Sequence, residues 1–332
     1  MQAQVREWFE RRTSGLADWS PTQVLAAKNA ADVTVSVVLP ALNEEATVGA
    51  IVEAIGRELV ERTPLVDELL VIDSGSTDRT AERAFAAGAR VVPRDDVLPR
   101  IPSVPGKGEV LWRSLLVSTG DLVVFVDADL ERFRPEIVVG LLGPLLADPD
   151  VALVKGLYDR PLTNGGSVLP AGGGRVTELV ARPLLNLHWP ELAGVVQPLA
   201  GEYAARRELL EQLPFPCGYG VEIALLVDTL ALRGLDAIAQ VDLGSRHHRH
   251  QDDAALGRMA AQIWQAASAR FGRSVPGRAH PAPPATLTQF TRIDGEIEVA
   301  THDVTGRERP PVMTLPEYRA HRAVLDARTR TA

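Results

Sequence analysis

Asp127 and Asp129, separated by one residue, are the side chains in this sequence whose type and spacing most clearly suggest chemistry. They follow residues 122–126, a short apolar run rich in β-branched residues, which predicts a buried strand. Because burying an unpaired carboxylate is costly, two carboxylates at the end of such a strand need partners. A hard divalent cation that also carries phosphate oxygens would satisfy both of them. The alternative is that the two aspartates only begin a turn or cap the next helix.

The surrounding sequence alternates between strand and helix patterns. This alternation, with nearly continuous apolar strands, predicts an α/β fold whose mostly parallel sheet is covered by helices on both faces. The predicted strands are residues 33–39, 68–72, 89–92, 122–126, 152–155 and 237–243. The predicted helices are residues 44–60, 80–87, 110–119, 176–187, 218–232 and 256–271.

Three of the predicted strands end in similar residues. In such sheets, ligands bind beyond the carboxyl ends of the strands. The segments 40–45, 73–78 and 127–129 follow three of these ends, and all contain small polar or acidic residues. Their shared character favours one binding site over three unrelated turns.

Composition excludes several functions. The 332 residues carry a formal net charge of −8, which argues against sequence-independent binding of nucleic acid. The single cysteine, Cys217, permits neither an intrachain disulfide nor a cysteine zinc cluster, and it fits a reducing, cytoplasmic setting. No stretch reaches the ~20 apolar residues of a membrane span, and the first residues lack the apolar core of a signal peptide. We therefore expect neither a nucleic-acid nor a membrane partner.

The sequence suggests four parts. Residues 1–32 predict a helical extension, residues 33–150 a first subdomain that contains the three polar strand ends, and residues 151–273 a second, less regular subdomain. Residues 274–332 are rich in Pro, Arg and His, and predict an irregular, weakly ordered tail with a possible role in dimer contacts.

Longer motifs narrow the prediction. They are PGKGE at residues 105–109, AGGGRVTEL at 171–179, GEYA at 201–204, GYGVEI at 218–223 and RHHR at 246–249. With the three strand ends, they make the sequence resemble nucleotide-sugar glycosyltransferases of the GT-A fold, a Rossmann-like α/β architecture. More narrowly, it resembles the glucosyl-3-phosphoglycerate synthases and, next to them, the mannosyl-3-phosphoglycerate synthases.

This resemblance implies a reaction and a metal. A hexose would move, with retention, from a nucleotide diphosphate sugar to the 2-hydroxyl of 3-phosphoglycerate, with Mg²⁺ or Mn²⁺ as cofactor. The resemblance assigns Asp129 and His248 to the metal, with His247 as the alternative if the register shifts by one. Asp127 is assigned to the ribose, or to a position where it supports the metal ligands without binding the metal itself.

The resemblance also implies two substrate sites, which make residues 33–150 a nucleotide-sugar-binding subdomain and residues 151–273 an acceptor-binding subdomain. The residues expected at the nucleotide sugar are Pro40, Ala41, Leu42, Glu44, Asp73, Ser74, Lys107, Asp127, Ala128, Asp129, Tyr219 and Glu222. The residues expected at the acceptor are Gly174, Arg175, Thr177, Arg160, Arg246 and His250, although the family often has asparagine where His250 stands. A glycine-rich segment that opens a helix presents free N–H groups to an anion, and Arg175 adds a forked donor.

Glu222, Asp129 and Lys107 are the expected catalytic residues. Lys107 stands between two glycines, where its ammonium suits a diphosphate; a surface lysine is the alternative. Retention is compatible with an enzyme nucleophile or with front-face attack in which the leaving phosphate takes the acceptor proton. We favour the second, with Glu222 orienting the donor sugar.

Several alternatives stay open at the level of sequence. UDP-glucose is the first choice of donor, and GDP-mannose or GDP-glucose is the alternative. A polyprenyl-phosphate sugar transferase would share residues 36–45 but usually needs a membrane-facing helix. A sugar nucleotidylyltransferase would place a glycine-rich basic loop after the first strand, where residues 40–43 read PALN. A non-catalytic nucleotide-sugar binder is the third alternative, and a homodimer is the expected assembly.

Overall fold

The computed structural model describes residues 1–159, 162–164, 167–169, 174–245, 252–271, 284–293 and 296–329. Its strands are β1 (Thr13–Gly15), β2 (Val35–Ala41), β3 (Glu68–Asp73), β4 (Arg90–Pro93), β5 (Leu122–Phe125), β6 (Leu153–Asp159), β7 (Leu162–Asn164), β8 (Ser167–Leu169), β9 (Tyr203–Arg206), β10 (Phe215–Pro216), β11 (Ile238–Ser245), β12 (Thr286–Ile293), β13 (Glu296–Asp303) and β14 (Glu308–Arg309). Its helices are α1 (Ala3–Arg12), α2 (Pro21–Ala31), α3 (Val48–Ile55), α4 (Thr80–Ala86), α5 (Lys107–Ser114), α6 (Glu136–Ala147), α7 (Arg182–His188), α8 (Arg207–Leu210), α9 (Val221–Arg233), α10 (Asp253–Phe271) and α11 (Pro316–Thr329).

Eight of the strands form a central sheet in the order β1-β11-β6-β9-β5-β2-β3-β4. All neighbouring pairs are parallel except those of β9, which runs antiparallel to both β5 and β6. The predicted α/β fold with a mostly parallel sheet is therefore confirmed. The reversed strand β9 was not predicted, because its four residues carry too short a pattern to be separated from a loop.

Both faces of the sheet are buried. Side chains of a strand alternate between its two faces, and in β2 Val37 and Leu39 belong to one hydrophobic cluster while Val38 belongs to the other. Helices α3 and α6 pack on the first face, and α5 and α9 pack on the second. This double coverage explains why the strands are nearly continuous apolar runs.

The helix that follows β2 begins later than predicted. Residues 44–60 were expected to be helical, but α3 starts at Val48 and continues as a π-helical segment, Gly56–Arg62. Asn43 has a φ of 57°, the left-handed region, which a right-handed helix does not accept. Residues 42–47 are thereby left as a loop at the end of β2.

The helix α5 also differs from its prediction. It covers Lys107–Ser114, whereas the sequence predicted residues 110–119. After Ser114 the chain continues as tighter turns, in which the N–H groups of residues 115–117 bond to the carbonyl oxygens three residues earlier. The Leu115 carbonyl oxygen accepts from the Arg207 guanidinium at 3.1 Å.

The N-terminal helices are present as predicted and are tied to the sheet. Trp8 of α1 is buried and donates from Nε1 to the Ile238 carbonyl oxygen at 2.9 Å. The strand β1, which was not predicted, then pairs with β11.

Residues 284–293 and 296–329, here called the C-terminal arm, contain more regular structure than the expected weakly ordered tail. They form the hairpin β12–β13, the strand β14 and the helix α11, and in the described part of the chain none of these strands joins the central sheet. Tyr318 of α11 is 1% exposed and donates to Glu211 at 2.6 Å. The arm thus packs on the side of the sheet that α5 and α9 cover. The four-part division of the chain stays a prediction.

Candidate active site

The three polar strand ends lie next to one another. In the sheet, β2 is the neighbour of both β3 and β5, with Ala41 paired to Asp73 and Val38 paired to Phe125. Parallel strands end at the same edge, so the residues that follow them come together as the sequence predicted.

Two of these ends form loops, residues 41–47 and 73–80, which we call the donor loops because the sequence resemblance predicts the sugar donor there. They are joined by side chains that bind backbone groups of the opposite loop: the Ser76 hydroxyl accepts from Asn43 N at 3.0 Å, the Thr80 hydroxyl accepts from Glu44 N at 2.7 Å, and Asn43 Oδ1 accepts from Thr77 N at 2.8 Å. Each loop thereby fixes the backbone of the other. Leu42, at 53% exposure, remains at the open edge.

Ser74 and Asp73 take part in the same turn. Ser74 N donates to the Ala41 carbonyl oxygen at 2.9 Å, which continues the β2–β3 pairing beyond the strands. The Asp73 carboxylate accepts from Gly75 N at 3.2 Å and from Ser76 N at 3.3 Å. Asp73 therefore shapes its own turn while remaining beside the Pro40 and Ala41 backbone.

The third strand end leads to a group of partly buried charges that we call the Lys107 cluster: Lys107, Asp127 and Glu222. Lys107 Nζ lies 2.5 Å from Asp127 Oδ1 and 3.2 Å from Glu222 Oε1. The side chains of Lys107, Asp127 and Glu222 are 19%, 22% and 7% exposed. The sequence predicted all three, and the structure brings them together although they come from α5, the end of β5 and the start of α9.

The electrostatics of the cluster keep Lys107 charged. Burial alone would lower the pKa of Lys107, but the charges of Asp127 and Glu222 outweigh it and raise that pKa well above its usual range. The cluster is therefore a fixed cation held between two carboxylates at the edge of the sheet.

Gly201 fits directly against this cluster. A Cβ at residue 201 would overlap the Asp127 carboxylate and lie 2.5 Å from Lys107 Nζ. Any side chain at this position would displace the ion pair. Gly201 belongs to the GEYA motif but was not predicted as a site residue, because its role depends on a contact across the sheet.

Lys155 and Tyr203 lie beneath the cluster and were also missed. Lys155 is 2% exposed, donates to the Ala200 carbonyl oxygen at 2.6 Å and sits 4.4 Å from the centre of the Tyr203 ring. Burial lowers its pKa to about 8, despite the nearby Glu222 carboxylate. Burial also raises the pKa of Tyr203, whose hydroxyl has no hydrogen-bond partner among the described residues. A lysine inside a predicted buried strand was the available signal, since lysine is almost never fully buried without a partner.

Asp129 and Ala128 differ in burial. Ala128 is 2% exposed and its carbonyl oxygen accepts from the Thr47 hydroxyl at 2.6 Å, which ties the start of α3 to the end of β5. Asp129 is exposed at the edge of the sheet. A solvent-facing carboxylate is a suitable oxygen ligand for Mg²⁺ or Mn²⁺, which commonly take one or two carboxylates and complete their coordination with phosphates and water. The described residues contain no group of three His, Cys, Asp or Glu side chains that could hold a metal ion.

The predicted acceptor segment is only partly described. Thr177 is 5% exposed, and Gly174 accepts at its carbonyl oxygen from Glu178 N at 3.0 Å. The exposed Arg175 pairs with Asp253 at the start of α10. The other predicted acceptor and metal residues lie outside the described residues: Arg160, Arg246, His247, His248 and His250.

A cleft of about 520 Å³ opens beside Asp129, beyond the ends of β5, β6 and β11. Its lining includes Arg134, Tyr158 and Glu202. Arg134 is held by the Leu243 carbonyl oxygen at 2.8 Å. The space next to the strand ends is thus large enough for a small polar molecule and carries both signs of charge.

Tyr219 lies at the entrance to α9, three residues before Glu222. It is 46% exposed, and its backbone N donates to Gln262 Oε1 of α10 at 3.0 Å. Its side chain is therefore open to a ligand while its backbone is fixed.

Together, the mostly parallel sheet, the strand-end aspartates and the buried cation beside them are typical of enzymes that bind nucleotide sugars. In agreement, the model of glycosyl transferase family 2 matches residues 36–166. The chain is 51% identical to glucosyl-3-phosphoglycerate synthase of Mycolicibacterium smegmatis, over 93% of this chain and 98% of that protein. It is 43% identical to the synthase of the same name from Petrotoga mobilis, over 90% and 91%. The chain belongs to the glucosyl-3-phosphoglycerate synthase family, as its motifs predicted.

Solved structures agree with this assignment. Mannosyl-3-phosphoglycerate synthase from Rubrobacter xylanophilus superposes with a TM-score of 0.87 at 40% identity, over 94% of this chain and 98% of that one. Glucosyl-3-phosphoglycerate synthase from Mycobacterium tuberculosis, solved with Mn²⁺, UDP and phosphoglyceric acid, superposes with a TM-score of 0.79 at 48% identity, over 91% and 98%. In the described part of this chain, no helix is both long and apolar enough to cross a membrane.

Proposed function

We propose that this protein transfers glucose from UDP-glucose to the 2-hydroxyl of 3-phosphoglycerate, with retention of configuration, and yields glucosyl-3-phosphoglycerate and UDP. The observation that carries the proposal is the Lys107 cluster, a charged lysine fixed 2.5 Å from Asp127 and 3.2 Å from Glu222 at the strand ends. Family membership supports the choice of substrates, since the Mycobacterium tuberculosis relative is solved with UDP-glucose and phosphoglyceric acid together.

The chemistry requires a cation where we place Lys107. The acceptor oxygen forms a bond to the anomeric carbon while the bond from that carbon to the diphosphate oxygen breaks. Negative charge therefore develops on the leaving β-phosphate, where a prepositioned ammonium stabilises it. The raised pKa of Lys107, which Asp127 and Glu222 hold up against burial, keeps this group protonated at neutral pH.

The donor loops are proposed to bind the nucleotide. Their backbone is fixed by the bonds between Asn43, Glu44 and the opposite loop, so Pro40, Ala41 and Leu42 can present backbone groups to the uracil ring in one conformation. Asp127 and Ala128 would then lie at the ribose and diphosphate, between these loops and Lys107. A loop whose backbone is already fixed loses less entropy when the nucleotide binds.

Mg²⁺ or Mn²⁺ is the proposed cofactor, held by Asp129 and His248. The exposed carboxylate of Asp129 fits such an ion, as argued above. When bound, the ion acts as a Lewis acid that withdraws charge from the diphosphate. The structures of the relative with Mn²⁺ and UDP support this choice.

The acceptor is proposed to bind at Gly174, Arg175 and Thr177, and also at Arg160, Arg246 and His250. Arg175 is exposed and its described partner, Asp253, is 89% exposed, so an anion can replace Asp253 at little cost. Phosphate and carboxylate groups suit the forked guanidinium.

Glu222 is proposed to orient the donor sugar rather than to attack it. Its carboxylate is 7% exposed and paired with Lys107, which lowers its nucleophilicity. The hydroxyl proton of the acceptor then passes to the leaving phosphate oxygen in a front-face reaction. For Glu222→Gln we expect a loss in kcat below about a hundredfold; a larger loss would indicate an essential nucleophile or base.

A single assay tests the proposal. The purified protein is incubated with 3-phosphoglycerate, Mg²⁺ and UDP-glucose, GDP-glucose or GDP-mannose in separate reactions, and release of nucleoside diphosphate is measured. We expect acceptor-dependent UDP release, and an α-linked product by NMR. Absence of acceptor-dependent release with every donor contradicts the proposal. In a separate reaction with UTP and a hexose phosphate, release of pyrophosphate would indicate a nucleotidylyltransferase instead.

Mannosyl transfer from GDP-mannose is the second candidate. The higher TM-score to the mannosyl synthase, 0.87 against 0.79, favours it, whereas sequence identity favours the glucosyl enzyme, 48% against 40%. Backbone similarity records the arrangement of elements, while the donor is chosen by individual side chains such as Tyr219 and Glu222. The same assay separates the two donors.

A homodimer is proposed as the assembly, and the cytoplasm as the location. Phe290 and Val299 face each other across the hairpin β12–β13 and are 69% and 63% exposed. A two-stranded hairpin is marginally stable alone in water, so an apolar partner surface would stabilise it. Light scattering should give twice the chain mass, and Phe290→Ser should lower it; an unchanged mass excludes this hairpin as the interface. Cell fractionation tests the location.

A further inference from the structure

The C-terminal arm reaches the turn that precedes α9. Its strand β14 pairs with β10, with Phe215 opposite Arg309 and Pro216 opposite Glu308. One residue further, Cys217 N donates to the Arg307 carbonyl oxygen at 2.8 Å. Residues 215–217 are therefore held by the arm only five residues before Glu222.

The same turn is packed against Lys107. Glu109 N donates to the Cys217 carbonyl oxygen at 3.0 Å. Gly106 has a φ of 127°, and a Cβ there would collide with the Cys217 carbonyl oxygen, so only glycine permits this approach. The backbone that carries Lys107 and the backbone that leads to Glu222 are thus in direct contact.

Arg309 adds a charged clamp across this contact. Its Nε and Nη2 donate to Glu109 at 2.6 and 2.9 Å, and Nη2 also donates to the Pro102 carbonyl oxygen at 2.7 Å. Glu109 is fully buried, and its second partner is the buried Arg113 at 2.7 Å. Burial would raise the pKa of Glu109, but its hydrogen bonds to Arg309 and Arg113 lower it. Glu109 is therefore an anion that depends on two arginines, one of them from the C-terminal arm.

We propose that Arg309 is a positioning residue for the reaction: through Glu109 and β10 it sets the separation of Lys107 and Glu222, so the C-terminal arm is a working part of the donor site. This proposal rests on the proposed function, in which Lys107 and Glu222 contact the donor. A misplacement of about 1 Å at a reacting group can lower a rate by about a hundredfold. Loss of the clamp allows a shift of this kind without unfolding the protein, because Glu109 keeps Arg113.

The test is Arg309→Gln, assayed at a temperature where circular dichroism shows a folded protein. We expect kcat to fall at least about tenfold, while the KM for 3-phosphoglycerate stays within about twofold. General loosening of the fold would alter both. The matched control is Arg100→Gln, which removes the same charge from an exposed pair with Glu317 of the same arm and should leave kcat unchanged. Equal kcat in the two variants overturns the proposal.

A double-mutant cycle identifies the route. If Arg309 acts through Glu109, adding Arg309→Gln to Glu109→Gln should lower kcat by less than about twofold further. Independent, multiplying losses overturn the route. Arg309→Lys keeps the charge but loses the fork, so it should give an intermediate kcat. If Arg309→Gln does not fold, Arg309→Lys alone decides the test. A wild-type kcat for Arg309→Lys then overturns the clamp.

The failure of each proposal has its own signature. If Lys107→Met retains activity, the proposed donor site is wrong. If Lys107→Met is inactive while Arg309→Gln matches Arg100→Gln, only the positioning role of Arg309 is wrong.

Discussion

The donor loops and the Lys107 cluster are neighbours at the carboxyl ends of the strands, yet they are held by different interactions. The donor loops are fixed by exposed contacts between segments about 35 residues apart: neutral hydrogen bonds such as Asn43 with Ser76, and an exposed ion pair between Arg79 and Glu45. The Lys107 cluster and its supports are buried charges from distant parts of the chain, such as Glu109 and Arg309, 200 residues apart. Losing one exposed contact at an open edge should cost little stability, because water replaces the lost partner. Removing one partner of a buried ion pair leaves an uncompensated charge and is strongly destabilising. The two regions should therefore respond differently to substitution.

The largest effect should come from Lys107→Met. It removes the cation at the leaving diphosphate and leaves Asp127 and Glu222 facing each other, so kcat should fall about a thousandfold. Steady-state release of UDP measures it. The control is Lys28→Met, since Lys28 is also buried and paired with an aspartate, Asp67, at 2.7 Å, but on α2. Comparable activity of the two variants would contradict the special role of the cluster.

Arg270→Gln should separate stability from catalysis on the C-terminal side. Arg270 is 1% exposed and binds Asp228 at 2.5 Å and Glu308 at 2.9 Å. Its replacement removes the cation that pairs with both carboxylates. We expect the free energy of unfolding to fall by about 3 kcal/mol in urea titrations. In contrast to Arg309→Gln, kcat should stay within about twofold. The exposed-pair control Arg11→Gln, whose partner Asp236 is also exposed, should cost less than about 1 kcal/mol.

Gly201→Ala should reach the cluster by sterics alone. The added methyl group would overlap the Asp127 carboxylate, and kcat/KM for the donor should fall about thirtyfold. Gly56→Ala is the control, since a Cβ there meets nothing within 4 Å. If both variants have wild-type kinetics, the close packing against Asp127 is not required.

The smallest effect is the pH dependence that Lys155 gives to stability. Its pKa in the folded protein is about 8, below the ordinary value of 10.5. Between these two pH values the unfolded chain binds the proton more strongly, so the free energy of unfolding should rise with pH, by at most about 1.4 kcal/mol per unit. Lys107 and Cys217 act in the opposite direction, because folding raises the pKa of each, and the comparison with a variant at residue 155 cancels their contribution.

The measurement is urea unfolding of the wild type and Lys155→Met at pH 8, 9 and 10. The stability of the wild type relative to the variant should increase along this series. A constant difference would show that burial does not shift the pKa of Lys155.

The agreement between sequence and structure was uneven, for physical reasons. Strands β3 and β5 were predicted to within one residue at each end and β2 to within two, because double burial imposes an apolar run that ends where polar loops begin. The start of α3 was misjudged, since Asn43 adopts a left-handed backbone that its residue type permits but does not require. The order of the C-terminal arm was underestimated, because Tyr318 is buried and Arg309 is paired with Glu109 through contacts that no local pattern records.

The candidate site was also predicted unevenly, because local patterns record residue types but not contacts between distant residues. Lys107, Asp127 and Glu222 were recognised from motifs, but their mutual ion pairs were not, since α5, β5 and α9 supply one residue each. Gly201 and Lys155 were missed because the role of each exists only in contact with a neighbouring strand or helix.

By itself, the sequence determined the family, the sheet-forming segments and the polar strand ends, because apolar periodicity and long motifs are local properties of a chain. Only the tertiary structure decided how the charges are arranged: that Lys107 lies between two carboxylates, and that Arg309 from the C-terminal arm supports Glu109 behind it. Electrostatic energy depends on distance and burial, and folding alone brings residues 107, 127, 222 and 309 to the distances at which their charges interact.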